Sequence, residues 1–401
     1  MARILVLTPR YPYPIHSGEK IRIHHMCRVL AQKHDVTLLA FTDTPESDLN
    51  DPEPGIYEQV ETVYLPQWRS WLQALTAIPT RTPIQVAYYR SAAFRKAVAR
   101  LVPDHDLVVS HLIRTAPYAS ELSDTPTVLE MTDALSLNYE RVREEGTKWN
   151  LKSLVYRLEV DRVRRFERQS VRTFDLVSLV SSTDRDYLRE KLSGEYNLTV
   201  YPNGVDVKEF CPVKTSSRPV VAFVGNMRTA QNKDACDYFI ENVLPLLREE
   251  VASFQFRIIG ASPPSVAARY RDIEGVDFVG EVDSIGEAVQ GVCAGVCTMR
   301  VGAGVQNKVL EYMAMELPAV VSPMGIEGID AVSGEHVLVS ADASGMATDI
   351  LRLCREDKLR ADIGRRGRQF VEEHHRWEQT LAPLHNDIEG LLDEYDKGRT
   401  P

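Results

Sequence analysis

A lysine and a glutamate three residues apart are the side chains in this sequence that are most clearly suited to binding a ligand. Lys308 and Glu311 lie in the stretch 299–323, and residues at this spacing share one face of a helix. The lysine could bring positive charge to a diphosphate, and the carboxylate could accept two hydrogen bonds from a diol such as that of ribose. The alternative is a surface ion pair beside an ordinary loop, and spacing alone leaves both interpretations open.

The elements predicted around this pair are a strand, a glycine loop and a helix. Residues 295–299 form a short apolar run, and Gly302 and Gly304 follow it, where the backbone can turn tightly and approach a ligand. Helical periodicity begins near Val305 or Gln306 and must end before the following Leu-Pro pair, because the residue before proline avoids helical angles. The free N–H groups of that helix N-terminus favour a phosphate over the loop.

The same stretch carries a family resemblance. Gly-Val-Gln-Asn-Lys-Val-Leu-Glu-Tyr-Met-Ala-Met-Glu-Leu-Pro-Ala-Val-Val, residues 304–321, resembles the nucleotide-sugar signature of the family 4-like retaining glycosyltransferases of GT-B fold. The first glutamate of that signature would fall at Ala303, a departure typical of a branch that resembles bacterial exopolysaccharide-type sugar transferases. The resemblance implies a donor-binding set made of Gly302, Gly304, Val305, Gln306, Asn307, Lys308 and Glu311.

The N-terminal segment predicts a second glycine at a helix start. Residues 3–8 are apolar and end in a proline-broken loop, and Gly18 precedes an amphipathic helix over about 19–33. The loop lacks GxGxxG, which disfavours a nicotinamide dinucleotide fold. Residues 12–22, Pro-Tyr-Pro-x-x-Ser-Gly-Glu-Lys-Ile-Arg, resemble the opening of the same glycosyltransferase branch, which implies that Gly18 faces the donor phosphate. A plain turn capped by Ser17 is the alternative.

Two polar residues follow predicted strands of the first half. His111 stands after the apolar run 106–110, and Asp133 follows the run 127–131. Ligands of open parallel sheets bind outside the carboxyl ends of the strands. The resemblance implies that His111 faces the sugar and orients or stabilises it, and Asp133 lies where an acceptor could reach it. A structural histidine and a helix-capping aspartate are the alternatives.

Positive charge follows the first strand of the second half. Residues 220–224 form that strand, and Arg228 and Lys233 lie in the segment that leads into the next helix. The resemblance implies an arginine and a lysine on the donor diphosphate. Lys233 matches that pattern, whereas Arg228 comes three residues after Gly225 where the family has it directly after. Surface charges on a loop are the alternative.

The alternation of strands and helices predicts an α/β protein with two parallel-sheet domains. The resemblance implies the GT-B arrangement, in which two Rossmann-like domains face across a cleft. We expect an acceptor-side domain over 1–202, a linker over 203–219 rich in turn residues, and a nucleotide-sugar domain over 220–375. The helical tail, 376–401, is expected to cross back to the first domain, as the resemblance implies.

Composition limits the classes of function. A net charge of -10 argues against nucleic acid as the main partner, and the six scattered cysteines favour a reducing, cytoplasmic location. No run approaches the ~20 apolar residues of a spanning helix. Asp104 and Asp106 superficially match an Asp-x-Asp metal motif but precede their strand, at the wrong end for chemistry. We therefore expect neither a metal nor a cofactor beyond the nucleotide sugar itself.

One segment differs in charge from the rest. Residues 141–172 contain ten Lys and Arg against five Asp and Glu, and predict a basic amphipathic helix pair with an apolar stripe from Trp149 to Leu158. The hypothesis is peripheral contact with an anionic membrane, and a solvated helix face is the alternative. Trp68, Trp71 and Leu72 form a second apolar surface candidate.

Taken together, the residues and the resemblance imply transfer of a sugar from a nucleotide diphosphate sugar to an acceptor hydroxyl, with retention of configuration and without a metal. The acceptor would be a sugar, a lipid-linked glycan or a small molecule in polysaccharide or glycoconjugate biosynthesis. A sugar-nucleotide 2-epimerase of the same fold and a non-catalytic nucleotide-sugar-binding protein, the latter suggested by Ala303, are the alternatives.

Overall fold

The computed structural model describes residues 1–15, 17–145, 151–192, 194–300 and 304–399. The chain divides into two compact units, one made of residues 1–202 with 381–401 and the other of residues 203–380. Each unit is a parallel β-sheet with helical connections. In the part of the chain so described, no helix has both the length and the apolar content needed to cross a bilayer.

The first unit contains a seven-stranded parallel sheet in the order β3-β2-β1-β4-β5-β6-β7. Its strands are β1 Arg3–Thr8, β2 Asp35–Thr42, β3 Gln59–Tyr64, β4 Leu107–His111, β5 Thr127–Thr132, β6 Leu176–Leu179 and β7 Leu198–Val200. The central strands are buried on both faces, which explains their continuous apolar runs. The edge strand β3 was not predicted, because its half-buried sequence Gln-Val-Glu-Thr-Val-Tyr lacks such a run.

The helices of the first unit connect these strands, and the last one returns from the end of the chain. They are α1 Gly18–Leu30, α2 Gln67–Ala77, α3 Ile84–Tyr88, α4 Ala92–Leu101, α5 Ala116–Ala119, α6 Leu135–Glu145, α7 Leu151–Thr173 and α8 Ser182–Glu190. The tail helix, Trp377–Arg399, belongs to this unit from Leu381 onwards. Tyr395 donates to Asp175 over 3.0 Å, and Tyr201 donates to Asp387, which tie the tail to the sheet.

The second unit contains a six-stranded parallel sheet in the order β10-β9-β8-β11-β12-β13. Its strands are β8 Val220–Val224, β9 Gln255–Ile259, β10 Val276–Gly280, β11 Ala294–Cys297, β12 Ala319–Val321 and β13 Leu338–Val339. Its helices are α9 Ala230–Tyr238, α10 Leu244–Glu250, α11 Pro264–Arg271, α12 Ile285–Ala288, α13 Asn307–Ala314, α14 Ala343–Arg355 and α15 Asp357–His374; the tail helix, α16, begins here.

Two features of the second unit follow directly from residue type. A π-helical turn, Phe239–Val243, separates α9 from α10, where Pro245 at the start of α10 cannot donate a backbone hydrogen bond. Gly260 has φ +141°, and a Cβ there would lie 2.1 Å from the carbonyl oxygen of Gly225. Only glycine therefore allows β8 and β9 to end this close together.

The predicted fold class is confirmed, because both sheets are parallel and both have the strand order of a Rossmann-like domain. In each sheet the first strand in sequence is central and the chain reverses direction beside it. The carboxyl ends of β1 and β4, and of β8 and β11, are the switch points at which such sheets bind ligands. The candidate residues follow these strands.

Candidate functional site

At the carboxyl end of β4, the imidazole of His111 is held by a buried carboxylate. His111 and Glu130 are register partners in β4 and β5, and Nδ1 of His111 lies 2.7 Å from Oε2 of Glu130. The other carboxylate oxygen accepts from Nε of Arg22 in α1 over 3.2 Å. All three side chains are almost inaccessible to solvent, with relative exposures of 1% or 0%. The cluster is therefore a fixed, buried Arg–Glu–His arrangement.

The charge state of this cluster follows from its contacts. Burial alone would raise the pKa of Glu130, but Arg22, His111 and Thr132 lower it to about 2. Glu130 is therefore ionised, and the facing nitrogen of His111 must donate. The opposite nitrogen, Nε2, is buried and has no hydrogen-bond partner among the described residues. A carboxylate that fixes the histidine tautomer in this way leaves Nε2 able to bind or accept from a ligand hydroxyl.

The backbone beside the cluster is strained. Leu112 has φ +64° and Thr132 has φ +65°, directly after β4 and within the end of β5. A β-branched residue at positive φ costs free energy. Here Thr132 donates its N–H to Glu130 over 3.1 Å, and Leu112 donates its N–H to the Glu130 carbonyl over 2.7 Å. Strain of this kind concentrates at functional sites.

Asp133 follows the same strand and has a strongly perturbed acidity. Burial, then the negative charges of Asp184 and Glu130, raise the pKa of Asp133 to about 8. Asp184 is fully buried and accepts from the N–H of Ala134 over 2.9 Å. The carboxyl of Asp133 is therefore largely protonated at neutral pH and could donate a hydrogen bond.

The start of α1 places Gly18 beside a charged cluster. Ser17 holds the N-cap position, but its hydroxyl makes no capping hydrogen bond and has no described partner, so the predicted cap is not formed. Glu19 accepts from Arg10 over 2.6 Å and from Arg114 over 3.0 Å. Burial would raise the pKa of Glu19, but the two arginines lower it. The helix begins at Gly18 with its first N–H groups uncapped by Ser17, which favours an anion there.

In the second unit, Lys308 is buried against two residues that belong to different elements. Its Nζ donates to Oδ1 of Asn232 over 2.8 Å and lies 4.2 Å from the ring centroid of Phe223. Burial lowers the pKa of Lys308. No ion pair joins Lys308 to Glu311 among the described residues, so the surface-pair interpretation does not describe this lysine. Its charge is instead held between β8, α9 and α13.

Glu311 lies one turn further along α13. Its side chain is half-buried and makes no hydrogen bond to any described residue. Burial raises the pKa of Glu311 to about 7, although Lys308 acts in the opposite direction. Both carboxylate oxygens are therefore available for a ligand, in a position where ionisation is disfavoured until a hydrogen-bond donor arrives.

The loop before α13 is only partly described. Gly302 and Ala303 lie outside the described residues, whereas Gly304 is buried with φ +78°. The helix begins at Asn307, one or two residues later than expected, because Gln306 at ψ +94° still has extended backbone. Val305 and Gln306 are half-buried in the approach to the helix. Oδ1 of Asn307 accepts from Asn203 over 2.9 Å.

The two predicted cations of the β8–α9 segment differ in their setting. Arg228 is exposed, and its N–H donates to Asn226 over 3.0 Å within the turn. Lys233 lies in the first turn of α9, half-buried, beside the Asn232 that binds Lys308. Within the described part of the chain, neither side chain forms an ion pair. Both are therefore available to an anionic ligand.

A cavity of about 390 Å³ lies at the carboxyl ends of β11 and β12, and it was not predicted. Arg300 lines it, paired with Asp234 over 2.7 Å and stacked 4.6 Å from the ring centroid of Tyr238. Asp342 and Glu327 are also in its wall. This combination of a flat cation, an aromatic ring and acceptor groups suits a heterocyclic base.

Two family models match the chain over most of its length. Residues 17–204 match the glycosyl transferase 4-like domain, and residues 218–356 match the glycosyl transferases group 1. The chain belongs to the GT-B glycosyltransferases of family 4-like type. No curated protein sequence matches this glycosyltransferase significantly.

Solved structures share the fold of this glycosyltransferase at low sequence identity. Sucrose-phosphate synthase from Thermosynechococcus elongatus aligns with a TM-score of 0.74 at 16% identity, over 98% of this chain and 100% of that one. TarM aligns with a TM-score of 0.70 at 11% identity, over 98% and 99%. HepE from Anabaena, solved with UDP and glucose, aligns with a TM-score of 0.67 at 12% identity, over 97% and 100%.

Several residues of this glycosyltransferase site escaped the sequence analysis. Arg22 and Glu130 interrupt apolar stretches of α1 and β5, and a charge inside a buried run was the signal that could have found them. Asn232 is an ordinary amide on a helix, and no pattern marked it. Within the described residues, no group of three or more His, Cys, Asp or Glu side chains is arranged to hold a metal ion.

Proposed function

We propose that this glycosyltransferase moves a hexosyl group from a nucleotide diphosphate sugar to an acceptor hydroxyl, with retention of configuration and without a required metal ion. The observation that carries the proposal is Glu311, a half-buried carboxylate with no hydrogen-bond partner among the described residues, one turn from the buried ammonium of Lys308. A ribose diol supplies the two donors that such a carboxylate lacks. HepE with UDP-glucose, and a TarM variant with UDP and α-GlcNAc-glycerol, support donors and acceptors of this class.

The donor diphosphate is assigned to the segment around Lys233 and to the start of α13. As the bond from sugar to phosphate breaks, negative charge grows on the diphosphate, and positive groups fixed in place stabilise it. Lys233, Arg228 and the N–H groups near Gly304 and Val305 would supply contacts, while Lys308 supplies a buried charge behind them. Gln306 and Asn307 complete the approach to the helix. These groups take the place that a metal ion has in other transferases.

In the first unit, we assign His111 to the transferred sugar and Gly18 to its phosphate side. Glu130 keeps the imidazole in one tautomer and would stabilise it if it gained a proton. With the retention proposed above, the acceptor would attack from the face that the leaving group departs from, and His111 would orient hydroxyls without forming a covalent bond. Asp133, largely protonated at neutral pH, is proposed to contact the acceptor as a donor.

The first experiment is a screen of thermal stability against UDP, GDP and dTDP sugars, because a donor that binds only the folded state raises its Tm by mass action. The stabilising donor is then incubated with and without acceptors, with a chelator in parallel, and the anomeric configuration of the product is determined by NMR. An epimer formed without acceptor would favour the epimerase. Donor binding without turnover of any acceptor would favour a binding protein.

Contact with an anionic membrane is also part of the proposal, but the segment 141–172 supports it less than its charge suggested. Residues 146–150, with Trp149, lie outside the described residues, as do the side chains of the stripe up to Leu158. Arg162 pairs with Glu159 over 2.9 Å, and Arg164 pairs with Asp161 over 2.9 Å and with Glu140. Two of the basic residues of this segment are therefore already paired within the protein.

A further inference from the structure

Helix α2 exposes its large apolar side chains and buries its small ones. The buried residues are Ser70, Ala74 and Ala77. The exposed ones, with their relative exposures, are Trp68 (66%), Trp71 (61%), Leu72 (54%) and Leu75 (59%), followed by Ile78 (50%) directly after the helix. Amphipathic helices of globular proteins usually turn the large apolar residues inward. Here the order is reversed, so the apolar stripe faces outward.

The spacing makes this stripe continuous. Positions 68, 71, 72, 75 and 78 recur at intervals of three and four and cover an arc of roughly 120° at 100° per residue. Two tryptophans lie in it, and tryptophan is the residue enriched where a bilayer meets water. Single exposed apolar residues are ordinary, but a contiguous stripe indicates an interaction surface.

The helix is firmly held from the inner side, so the stripe is a fixed feature. At its start, Gln67 donates to Asp43 over 2.9 Å, and at its end Arg162 donates to the carbonyl oxygen of Ile78. The indole of Trp71 packs edge-on against Tyr88 in α3, with ring centroids 5.7 Å apart. The exposure is therefore not a consequence of an unattached segment.

The stretch of sequence around α2 contains charged residues of one sign. Residues 62–103 contain six basic residues and no acidic one, within a chain of net charge -10. The basic residues are Arg69, Arg81, Arg90, Arg95, Lys96 and Arg100. Arg69 and Arg81 flank the stripe, are exposed, and form no ion pair with any described residue. Arg95 and Arg100 are paired with Glu121 and Glu61.

Further positive charge lines a cavity beside α3, the helix against which α2 packs. The cavity measures about 630 Å³, and Arg90, Arg95, Lys96 and Arg114 are in its wall together with Tyr89 and Tyr118. The guanidinium of Arg95 lies 5.6 Å from the ring centroid of Tyr118. A mostly apolar cavity with a cationic lining complements an amphiphile with an anionic headgroup. The cavity and the adjacent stripe are therefore suited to the same kind of molecule, an anionic lipid.

We propose that α2 docks this protein on an anionic bilayer, with Trp68, Trp71, Leu72, Leu75 and Ile78 among the headgroups and acyl-chain ends. Arg69 and Arg81 lie beside lipid phosphates. The exposed apolar stripe and the basic segment 62–103, which contains no acidic residue, together have the composition of an interfacial helix. A second copy of the chain fits this surface less well, because a two-fold contact would place two equally basic segments against each other.

The test is co-sedimentation with vesicles of phosphatidylcholine alone and of phosphatidylcholine with phosphatidylglycerol. The triple variant Trp68→Gln, Trp71→Gln, Leu75→Gln should bind anionic vesicles at least about tenfold more weakly than wild type. The matched control, Val279→Gln with Val332→Gln, removes exposed apolar residues of the second unit and should bind like wild type. Equal binding of wild type and the triple variant would overturn the proposal.

Charge and insertion are tested separately. Arg69→Gln with Arg81→Gln should weaken binding to anionic vesicles severalfold, and salt should weaken the wild type, because exposed charges are screened over about 10 Å at 0.1 M salt. Tryptophan emission should shift to the blue on anionic vesicles and should shift less in the triple variant. Equal binding to neutral vesicles, or a dimer in sedimentation that only the triple variant dissociates, would refute bilayer docking. None of these measurements depends on sugar transfer.

Discussion

Nδ1 of His111 and Oε2 of Glu130 lie 2.7 Å apart at the ends of two adjacent strands, so the carboxylate determines which nitrogen of the imidazole carries the proton. The partner nitrogen, Nε2, is left without a described hydrogen bond. The role proposed for His111 depends on this orientation, and substitutions of the two residues test that role and the stability of the pair.

His111→Ala should lower kcat by roughly 10²-fold or more, the usual scale for a group that moves or orients a proton. Donor affinity should stay near that of wild type, because the proposed donor contacts come mainly from the second unit. Steady-state kinetics and calorimetric titration with the preferred nucleotide measure the two effects. His105→Ala is the control, since His105 only bonds the carbonyl of Leu101. Lost donor affinity with normal turnover at saturation would give His111 a binding role instead.

Glu130→Gln should destabilise the first unit by about 3 kcal/mol at pH 6, because it leaves the buried Arg22 without its carboxylate. The pKa of Glu130 is lowered from 4.5 to about 2 in the folded protein. Its ionised form therefore stabilises the fold above pH 4.5, and that contribution is lost as the pH falls towards 2. Urea unfolding at pH 6 and pH 3 should show a smaller difference from wild type at pH 3; an equal difference would contradict the ion-pair account.

Glu311→Gln should weaken nucleotide binding by about 1.5–3 kcal/mol at pH 8, the scale of hydrogen bonds to a charged group. Because the pKa of Glu311 is raised to about 7, wild-type affinity should increase from pH 6 to pH 8 as the carboxylate ionises. The variant should show little such increase. Calorimetry at both pH values tests this, with the exposed Glu287→Gln as control. A folded Glu311→Gln with unchanged affinity would remove the ribose assignment.

Lys233→Ala and Lys308→Met should each lower turnover more than nucleotide affinity, because the charge that they meet grows as the sugar–phosphate bond breaks. Asn232→Ala should have a smaller effect in the same direction, since it accepts from the ammonium of Lys308 over 2.8 Å. Comparing kcat with the Kd of the nucleoside diphosphate measures this, and the exposed Lys214→Ala provides the baseline. Full turnover in either lysine variant would show that lysine to be an ordinary surface or core residue.

Asp133→Asn should stabilise the protein more at pH 8 than at pH 5. The pKa of Asp133 is raised from 3.8 to about 8, so the contribution of its protonated form to stability is fully present below pH 3.8 and is lost as the pH rises through 8. Asparagine cannot ionise and avoids that loss. Thermal unfolding at the two pH values measures the effect, and Asp124→Asn on the surface serves as control. The same change in Tm at both pH values would argue against a protonated Asp133.

The sequence predicted those features that depend on residues close together along the chain. Helical spacing placed Lys308 and Glu311 on α13, and apolar runs located the central strands of both sheets. The contacts of Lys308 could not be predicted from the sequence, because Asn232 is 76 residues away and the two residues meet only when α9 and α13 flank the sheet. The pairing of Arg22 with Glu130, 108 residues apart, was hidden for the same reason.

The sequence predicted the net charge of a surface segment, but not which of its charges are paired. The positive balance of residues 141–172 is real, but helical neighbours and Glu140 neutralise Arg162 and Arg164. Conversely, Trp68, Trp71 and Leu72 were predicted as a surface candidate, but the sequence did not show why their side chains point outward. Their direction depends on how α2 packs, because it places Ser70, Ala74 and Ala77 against its own unit. Hydrophobicity alone would have buried the larger side chains instead.

Because the tail helix completes the first unit, the two units differ in when they can be assembled during synthesis. Residues 203–380 are contiguous, so the second unit has all its contacts once that stretch has left the ribosome. The first unit must wait for Asp387, Glu389 and Tyr395, which bind Tyr201, Lys33 and Asp175. The half of the chain that is translated first therefore lacks part of its own structure until the other half has been synthesised.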